Sequence, residues 1–252
     1  MSDPRAIQTR ALRDFLRWLG GASEGAAMWA APGITAAVVP ATPQRSLINS
    51  VVYEDVASLE AAYDGLVDAY AAAGVAGWTV WTPDHDADAI SLLTGRGHAF
   101  DGEPVAMTLD LELFKPPDPG DLEWDADASF EELGRINDEA YGLVAPDGIA
   151  GAMAGAANGV PIRVYRARRG GETASVLATI DHDDDLGIYF VATRAEHGRQ
   201  GLAGRLLAAA LAEGRDRGLS TSSLQSSAKG DAVYTRLGYE RHFRLHLYER
   251  RG

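Results

Sequence analysis

Between His197 and Leu207 the chain reads His-Gly-Arg-Gln-Gly-Leu-Ala-Gly-Arg-Leu-Leu. Three glycines, Gly198, Gly201 and Gly204, surround an arginine, and apolar residues at helical spacing follow at Leu202, Leu206, Leu207, Ala210 and Leu211. Just upstream, Gly187-Ile188-Tyr189-Phe190-Val191-Ala192-Thr193 reads as a buried strand. A strand, a glycine-rich turn and then an amphipathic helix make a site for an anion. The first N–H groups of a helix have no partner inside it, the helix dipole favours negative charge there, and glycine lets a phosphate reach the backbone.

The surrounding elements follow from periodicity and punctuation. Helices are predicted over 6–19 and 58–73, and strands over 33–39, 47–53, 77–82 and 105–113. Phe114-Lys115-Pro116-Pro117-Asp118-Pro119-Gly120-Asp121 breaks both helix and strand, and a domain boundary is placed there. Beyond it, Ser129 followed by Glu132 opens a helix that runs to Glu139 or Tyr141. A short helix over 152–155 follows, then strands over 161–168, 174–181 and 187–193, with turns at Gly170-Gly171 and Asp183-Asp184-Asp185. Helix 201–216, strand 220–226, a short helix over 230–236 and strand 240–249 complete the chain.

The two halves repeat one order of elements. Strand 187–193, a helix, Gly218, strand 220–226, a short helix and Gly238 are matched by strand 47–53, a helix, Gly74, strand 77–82, a helix through Leu93, and Gly97. The chemistry is not repeated. Where the second copy has Arg199-Gln200-Gly201 the first has Glu54-Asp55-Val56, and where the second has Tyr234 the first has Leu93. Two carboxylates cap a helix well but repel a pyrophosphate.

Composition narrows the classes of function. The 252 residues carry a net charge of −13. Residues 1–115 contribute −8 (15 acidic, 7 basic) and the remainder −5 (21 acidic, 16 basic). Such a surface repels nucleic acid and anionic membranes, so neither is an expected partner. An apolar content of 46% suits a globular core, and no apolar run is long enough to span a bilayer. Met1-Ser2-Asp3-Pro4-Arg5 has no basic start with an apolar run behind it, so no secretion signal is read and a cytoplasmic location is expected. Cysteine is absent, which excludes disulfides, thiolate metal sites and cysteine nucleophiles.

Several other patterns carry little. Asp84, Asp86 and Asp88 begin like a calcium loop, but Ala89 and Gly95 stand where that loop needs Gly and Glu, so a solvated turn is read and no metal is expected. No Gly-x-x-x-x-Gly-Lys-Ser/Thr, Gly-x-Gly-x-x-Gly or Gly-x-Ser-x-Gly occurs. Arg166, Arg168 and Arg169 read as a solvated strand end, and Trp78 and Trp81 as core and interface residues.

The C-terminal half resembles the GNAT N-acetyltransferase superfamily. Its signature Gln/Arg-x-x-Gly-x-Gly/Ala is matched by Gly198-Arg199-Gln200-Gly201-Leu202-Ala203 at the glycine and alanine positions, with Gly198 replacing the first residue. A second element, Tyr-x-x-Leu-Gly-Phe/Tyr, is matched in full by Tyr234-Thr235-Arg236-Leu237-Gly238-Tyr239, 33 residues after Gly201, while Ser227 stands where an Asn is common. The N-terminal 115 residues resemble a degenerate second unit, as in tandem members of the superfamily. The resemblance implies an α/β fold of two GNAT-like units, each a mixed, mostly antiparallel sheet flanked by helices. Residues 1–115 would form the degenerate domain and residues 116–252 the acetyl-CoA-binding one.

By the same resemblance, pantetheine would lie along strand 187–193, held by Val191, Ala192 and Thr193. The pyrophosphate would rest on Arg199, Gln200, Gly201, Leu202, Ala203 and Gly204, and Ser227 and Tyr234 would complete the acetyl-CoA site. The implied reaction is direct attack of a primary amine, on a small molecule or peptide, on the thioester. Tyr234 is the candidate acid for the departing thiolate; Glu139, His182 and Tyr189 are candidates for the base. His182, followed by three aspartates, reads as an exposed turn. Asn137, Asp138 and Tyr141 fall on the helix that would face the acceptor. A non-catalytic acyl-CoA-binding module is the alternative, and a homodimer is left open.

Overall fold

The computed structural model describes residues 3–144, 148–153 and 162–252. In chain order the elements are α1 (Pro4–Leu19), β1 (Ala27–Ala31), β2 (Ile34–Val38), β3 (Ser50–Tyr53), α2 (Val56–Ala72), β4 (Gly77–Pro83), α3 (Ala87–Gly95), β5 (Ala99–Gly102) and β6 (Val105–Asp110). They continue with β7 (Glu123–Asp125), α4 (Phe130–Tyr141), a 3-10 turn (Ala150–Met153), β8 (Ile162–Arg169), β9 (Glu172–His182) and β10 (Asp185–Thr193). A 3-10 turn (Ala195–His197), α5 (Leu202–Asp216), β11 (Thr221–Ser226), α6 (Asp231–Arg236) and β12 (Glu240–Arg251) end the chain. The short helix expected over 152–155 is a 3-10 turn up to Met153, and its last two positions lie outside the described residues, as does the first position of the strand expected over 161–168.

These elements sort into two units whose boundaries differ from the expected cut at Lys115. One contains the described residues of Met1–Ala11, Ala106–Leu143 and Pro161–His242; the other, those of Leu12–Val105, Val144–Val160 and Phe243–Gly252. Neither unit is contiguous in sequence. β6 sorts with the C-terminal elements, and all but the first three residues of β12 sort with the N-terminal ones.

The unit that carries the glycine-rich turn has the strand order β7-β8-β9-β10-β11-β6. β7, β8, β9 and β10 are antiparallel neighbours, and β10 and β11 are parallel. Its sheet is apolar on both faces at Val176, Leu177, Ala178 and Ile180 because α4 and α5 both pack on β9 and β10. Leu202, Leu206, Leu207, Ala210 and Leu211 of α5 are all within 2% of complete burial, as the periodicity predicts. Ser129 caps α4 by accepting from the Glu132 N–H at 3.1 Å, also as predicted.

The other unit orders its strands β1-β2-β3-β4-β12, with β5 also paired to β12. α2 and α3 cover a core of Tyr63, Leu66, Tyr70, Trp78 and Leu93. His98 is buried with them: its Nδ1 lies 2.9 Å from the Tyr248 carbonyl and its Nε2 2.9 Å from the Tyr63 hydroxyl. Trp78 is core as expected, while Trp81 donates its indole N–H to Ser50 Oγ at 3.1 Å. Asp86 is the N-cap of α3 and accepts from Tyr53, so this member of the aspartate series has a structural post.

Candidate active site

β10 and β11 pair only at their beginnings. Asp185, Leu186 and Gly187 lie opposite Thr221, Ser222 and Ser223, and no pairing follows. Among the described residues, β10 has no β11 neighbour from Ile188 onward. The irregularity extends to the other edge. The β9–β10 register shifts between Tyr189 and Ala192, and Phe190 sits at φ 53, a rare conformation for a residue with a side chain. Asn137 of α4 holds this bulge, donating from Nδ2 to the Phe190 carbonyl at 3.1 Å and to the Leu133 carbonyl at 3.0 Å.

Beyond the bulge the chain reaches the glycine-rich turn. Val191 and Thr193 are half-buried and Ala192 is buried. Arg194 leads through the 3-10 turn to Arg199, at φ 61, and to Gly201, the N-cap of α5 at φ 74. No side chain caps this helix, so its first N–H groups have no such partner. A Cβ at Gly201 would have nothing within 4 Å, so the space in front of the helix is open. Arg199, Gln200 and Gly201 are exposed, Ala203 and Gly204 half-buried, and Leu202 is core. Arg205 is turned away, bonding the Pro119 carbonyl at 3.0 Å and Asp121 at 2.8 Å. The turn thus presents backbone donors and the exposed Arg199 to an anion, which is chemistry that fits a pyrophosphate.

Tyr234 lies on α6. Its ring lies over Gly230, where a Cβ would come within 2.6 Å of the ring, so only glycine leaves room for it. The ring meets Tyr239 edge-on at 5.9 Å. Burial first, and the neighbouring Tyr141 second, hold the Tyr234 phenol well above the usual tyrosine range, so it stays protonated at neutral pH. Ser227 is exposed in the loop between β11 and α6, its carbonyl accepting from Gly230 and Asp231.

The three candidate bases occupy different settings. His182 is 1% exposed in β9, not in an exposed turn, and its Nε2 lies 3.0 Å from the Tyr189 hydroxyl, which donates to the Ala11 carbonyl at 3.0 Å. Both side chains thereby tie β9, β10 and the first turns of α1 together. Glu139 is paired with Arg135 at 2.8 Å and Arg194 at 2.9 Å. The aspartate run also differs from expectation, since only Asp183 and Asp184 turn. Asp185 is fully buried in β10, accepting from Ser223 at 2.6 Å and Thr221 at 2.8 Å, with its pKa raised by burial. Asn137 is buried under the bulge, where it positions β10. Nothing in the sequence marks Phe190 as the bulge, because the positive φ falls on a residue that disfavours it. The Arg166–Arg168 segment is an ion-pair network, not a solvated end: Arg166 meets Glu132 at 2.7 Å and Asp125 at 3.0 Å. Among the described residues no group of three His, Asp or Glu side chains is arranged for a metal.

Known proteins share the fold. Residues 186–242 match the family model described as an acetyltransferase (GNAT) domain, a span that contains the parting strands, the turn and Tyr234. A GCN5-related N-acetyltransferase from Kribbella flavida superposes with a TM-score of 0.68 at 19% identity, covering 96% of each chain. A second, from Sphaerobacter thermophilus, gives 0.61 at 15% identity, covering 99% of this chain and 94% of that one. A tandem GNAT protein from the clavulanic acid biosynthesis pathway gives 0.56 at 12% identity over 99% and 97%. No curated protein matches by sequence. The chain thus has the fold of GNAT proteins, tandem ones among them, and the GNAT domain match falls on residues 186–242 of it.

Proposed function

We propose that this protein is an acetyl-CoA-dependent N-acetyltransferase that acts on a primary amine of a small molecule or peptide by direct attack. The observation that carries this reading is the parting of β10 from β11 after Gly187, followed in the chain by the uncapped start of α5, with Tyr234 of α6 kept protonated by burial. The open edge of β10 supports a pantetheine arm through the Val191 and Thr193 backbone, and the N–H groups of residues 202–204 support its pyrophosphate. Anions at a helix start gain about 0.3–1 kcal/mol from the dipole alone, before hydrogen bonds are counted.

In the reaction the neutral amine forms a C–N bond as the C–S bond breaks. The amine's proton passes to solvent or a nearby base, and Tyr234 donates to the departing thiolate. A cysteine-like thiol has a pKa near 8.5 and a phenol near 10, so donation by a raised tyrosine is a hydrogen bond that strengthens as negative charge develops on sulfur. One observation favours a second reading, a non-catalytic acyl-CoA-binding module: His182, Tyr189 and Glu139 are all engaged in structural contacts.

Calorimetric titration with acetyl-CoA, followed by thiol release in the presence of primary amines, separates the readings. Binding with amine-stimulated release supports the transferase. Binding without release under any amine supports the module. Absence of binding ends both.

A further inference from the structure

The proposal concerns what fixes the place at which β10 leaves β11, and it starts from the sheet face on which Gly187 lies. His182 of β9 is paired with Asp185 of β10, and directly opposed residues of an antiparallel pair share a face. Asp185, Gly187 and Tyr189 alternate onto that same face. As far as Gly187 the strands β10 and β11 are also tied by side chains, since Thr221 and Ser223 both donate to Asp185. Beyond Gly187 the bonds change direction. The Tyr189 hydroxyl donates its one hydrogen to the Ala11 carbonyl at 3.0 Å, so His182 Nε2, 3.0 Å away, supplies the hydrogen of the second bond. These partners of Tyr189 stand on α1 and β9.

Two further observations bear on this pair. A Cβ at Gly187 would come within 2.5 Å of His182 Nε2 and 2.8 Å of Tyr189 Cε2, so both side chains lie across the glycine and only glycine admits them. Tyr189 is also the last regular residue before the bulge, where β10 spends Phe190 and Val191 and β9 spends Leu177 alone. The extra residue reverses the alternation, so that Ala192, and not Val191, shares the Tyr189 face. Where the bulge begins therefore decides which residues of this stretch turn their N–H and C=O groups to the edge facing away from β9. Asn137 holds the bulge at the Phe190 carbonyl, and the His182–Tyr189 pair holds its start.

We infer that His182 and Tyr189 are positioning residues for the coenzyme: seated on Gly187 and tied to α1, they fix the start of the bulge and with it the backbone edge that the pantetheine arm meets. This rests on the acetyl-CoA reading above and names a residue pair that serves it. The test uses the full chain and two ligands, acetyl-CoA and 3′-phospho-ADP, the same nucleotide without pantetheine. Tyr189→Phe removes both hydroxyl bonds and keeps the ring, while Gly187→Ala displaces both side chains from the glycine. Calorimetry should show acetyl-CoA bound about fivefold more weakly by each variant, with 3′-phospho-ADP affinity within about twofold of wild type. A role in stability alone would lower the unfolding midpoint and leave both affinities as they were, which overturns the inference. So does an equal loss for both ligands, or failure of both variants to fold. In each of those cases acetyl-CoA binding by the wild-type chain leaves the coenzyme reading standing, whereas its absence there removes that reading itself.

Discussion

The two helix starts at Asp55 and Gly201 grow from the same order of elements and end in opposite chemistry. Between β3 and α2 stand only Glu54 and Asp55, and Asp55 caps the helix by accepting from the Ser58 N–H at 2.8 Å. Between β10 and α5 the chain spends Arg194 to Gly201 on a 3-10 turn and two positive-φ residues, and leaves the helix uncapped. A carboxylate in the first case satisfies the helix from within the chain. The absence of one in the second leaves the same donors for a ligand. The third feature diverges in the same way: Leu93 is fully buried in the core where its counterpart Tyr234 is half-buried. Anion binding is thus a capacity that a helix keeps only when its own side chains decline to use it.

Four experiments sharpen this contrast or break it. The largest effect is expected from Tyr234→Phe, which should lower kcat at least 100-fold while acetyl-CoA affinity changes less than twofold, measured by steady-state thiol release beside calorimetry. A kcat within fivefold of wild type would remove Tyr234 from the chemistry and leave the two units alike in that respect.

Acid should act on the N-terminal core next. His98, whose pKa is lowered to about 4 chiefly by burial, favours folding while neutral. Its contribution is therefore present above pH 6.5 and lost as pH falls through about 4, a change of about 3 kcal/mol. Urea unfolding of wild type and His98→Gln at pH 7 and pH 4.5 should show that component in wild type only. Asp185 of the other unit has the opposite sign: its raised pKa favours folding when protonated and costs stability as pH rises.

Ala203→Glu gives α5 the kind of carboxylate that α2 already has. Acetyl-CoA affinity should fall about thirtyfold, or about 2 kcal/mol, with the thermal midpoint unchanged or raised. Undiminished affinity would move the anion site elsewhere. The smallest effect is expected from Asp55→Ala, which should cost about 1 kcal/mol of stability, seen in urea unfolding, and leave acetyl-CoA binding as it was.

Much of this contrast is legible in the residues themselves. α5, α4 and the glycine-rich turn announce themselves through local chemistry: apolar spacing, a Ser129 cap, and glycines at positive φ. β1 escapes because Ala27-Met28-Trp29-Ala30-Ala31 has no alternation, and β5 and β7 because they are short, with Gly102 and Asp125 among them. The burial of His182 and Asp185 escapes for a different reason. Each is a polar residue beside a turn, and only partners distant in sequence, Ala11 and Ser223 among them, make it an interior one. The unit boundaries escape too, since a proline-rich seam marks where the chain is irregular and says nothing of which strands will pair.

The crossing of strands between units has a genetic consequence. β6 is encoded in the half with no anion turn yet completes the sheet of the unit that has one, and β12 is encoded last yet forms most of its pairs in the other sheet. A deletion that removed the chemically silent half would take β6 with it, and one that removed the other half would take β12. Either truncation would therefore remove a strand from the sheet of the unit it was meant to spare.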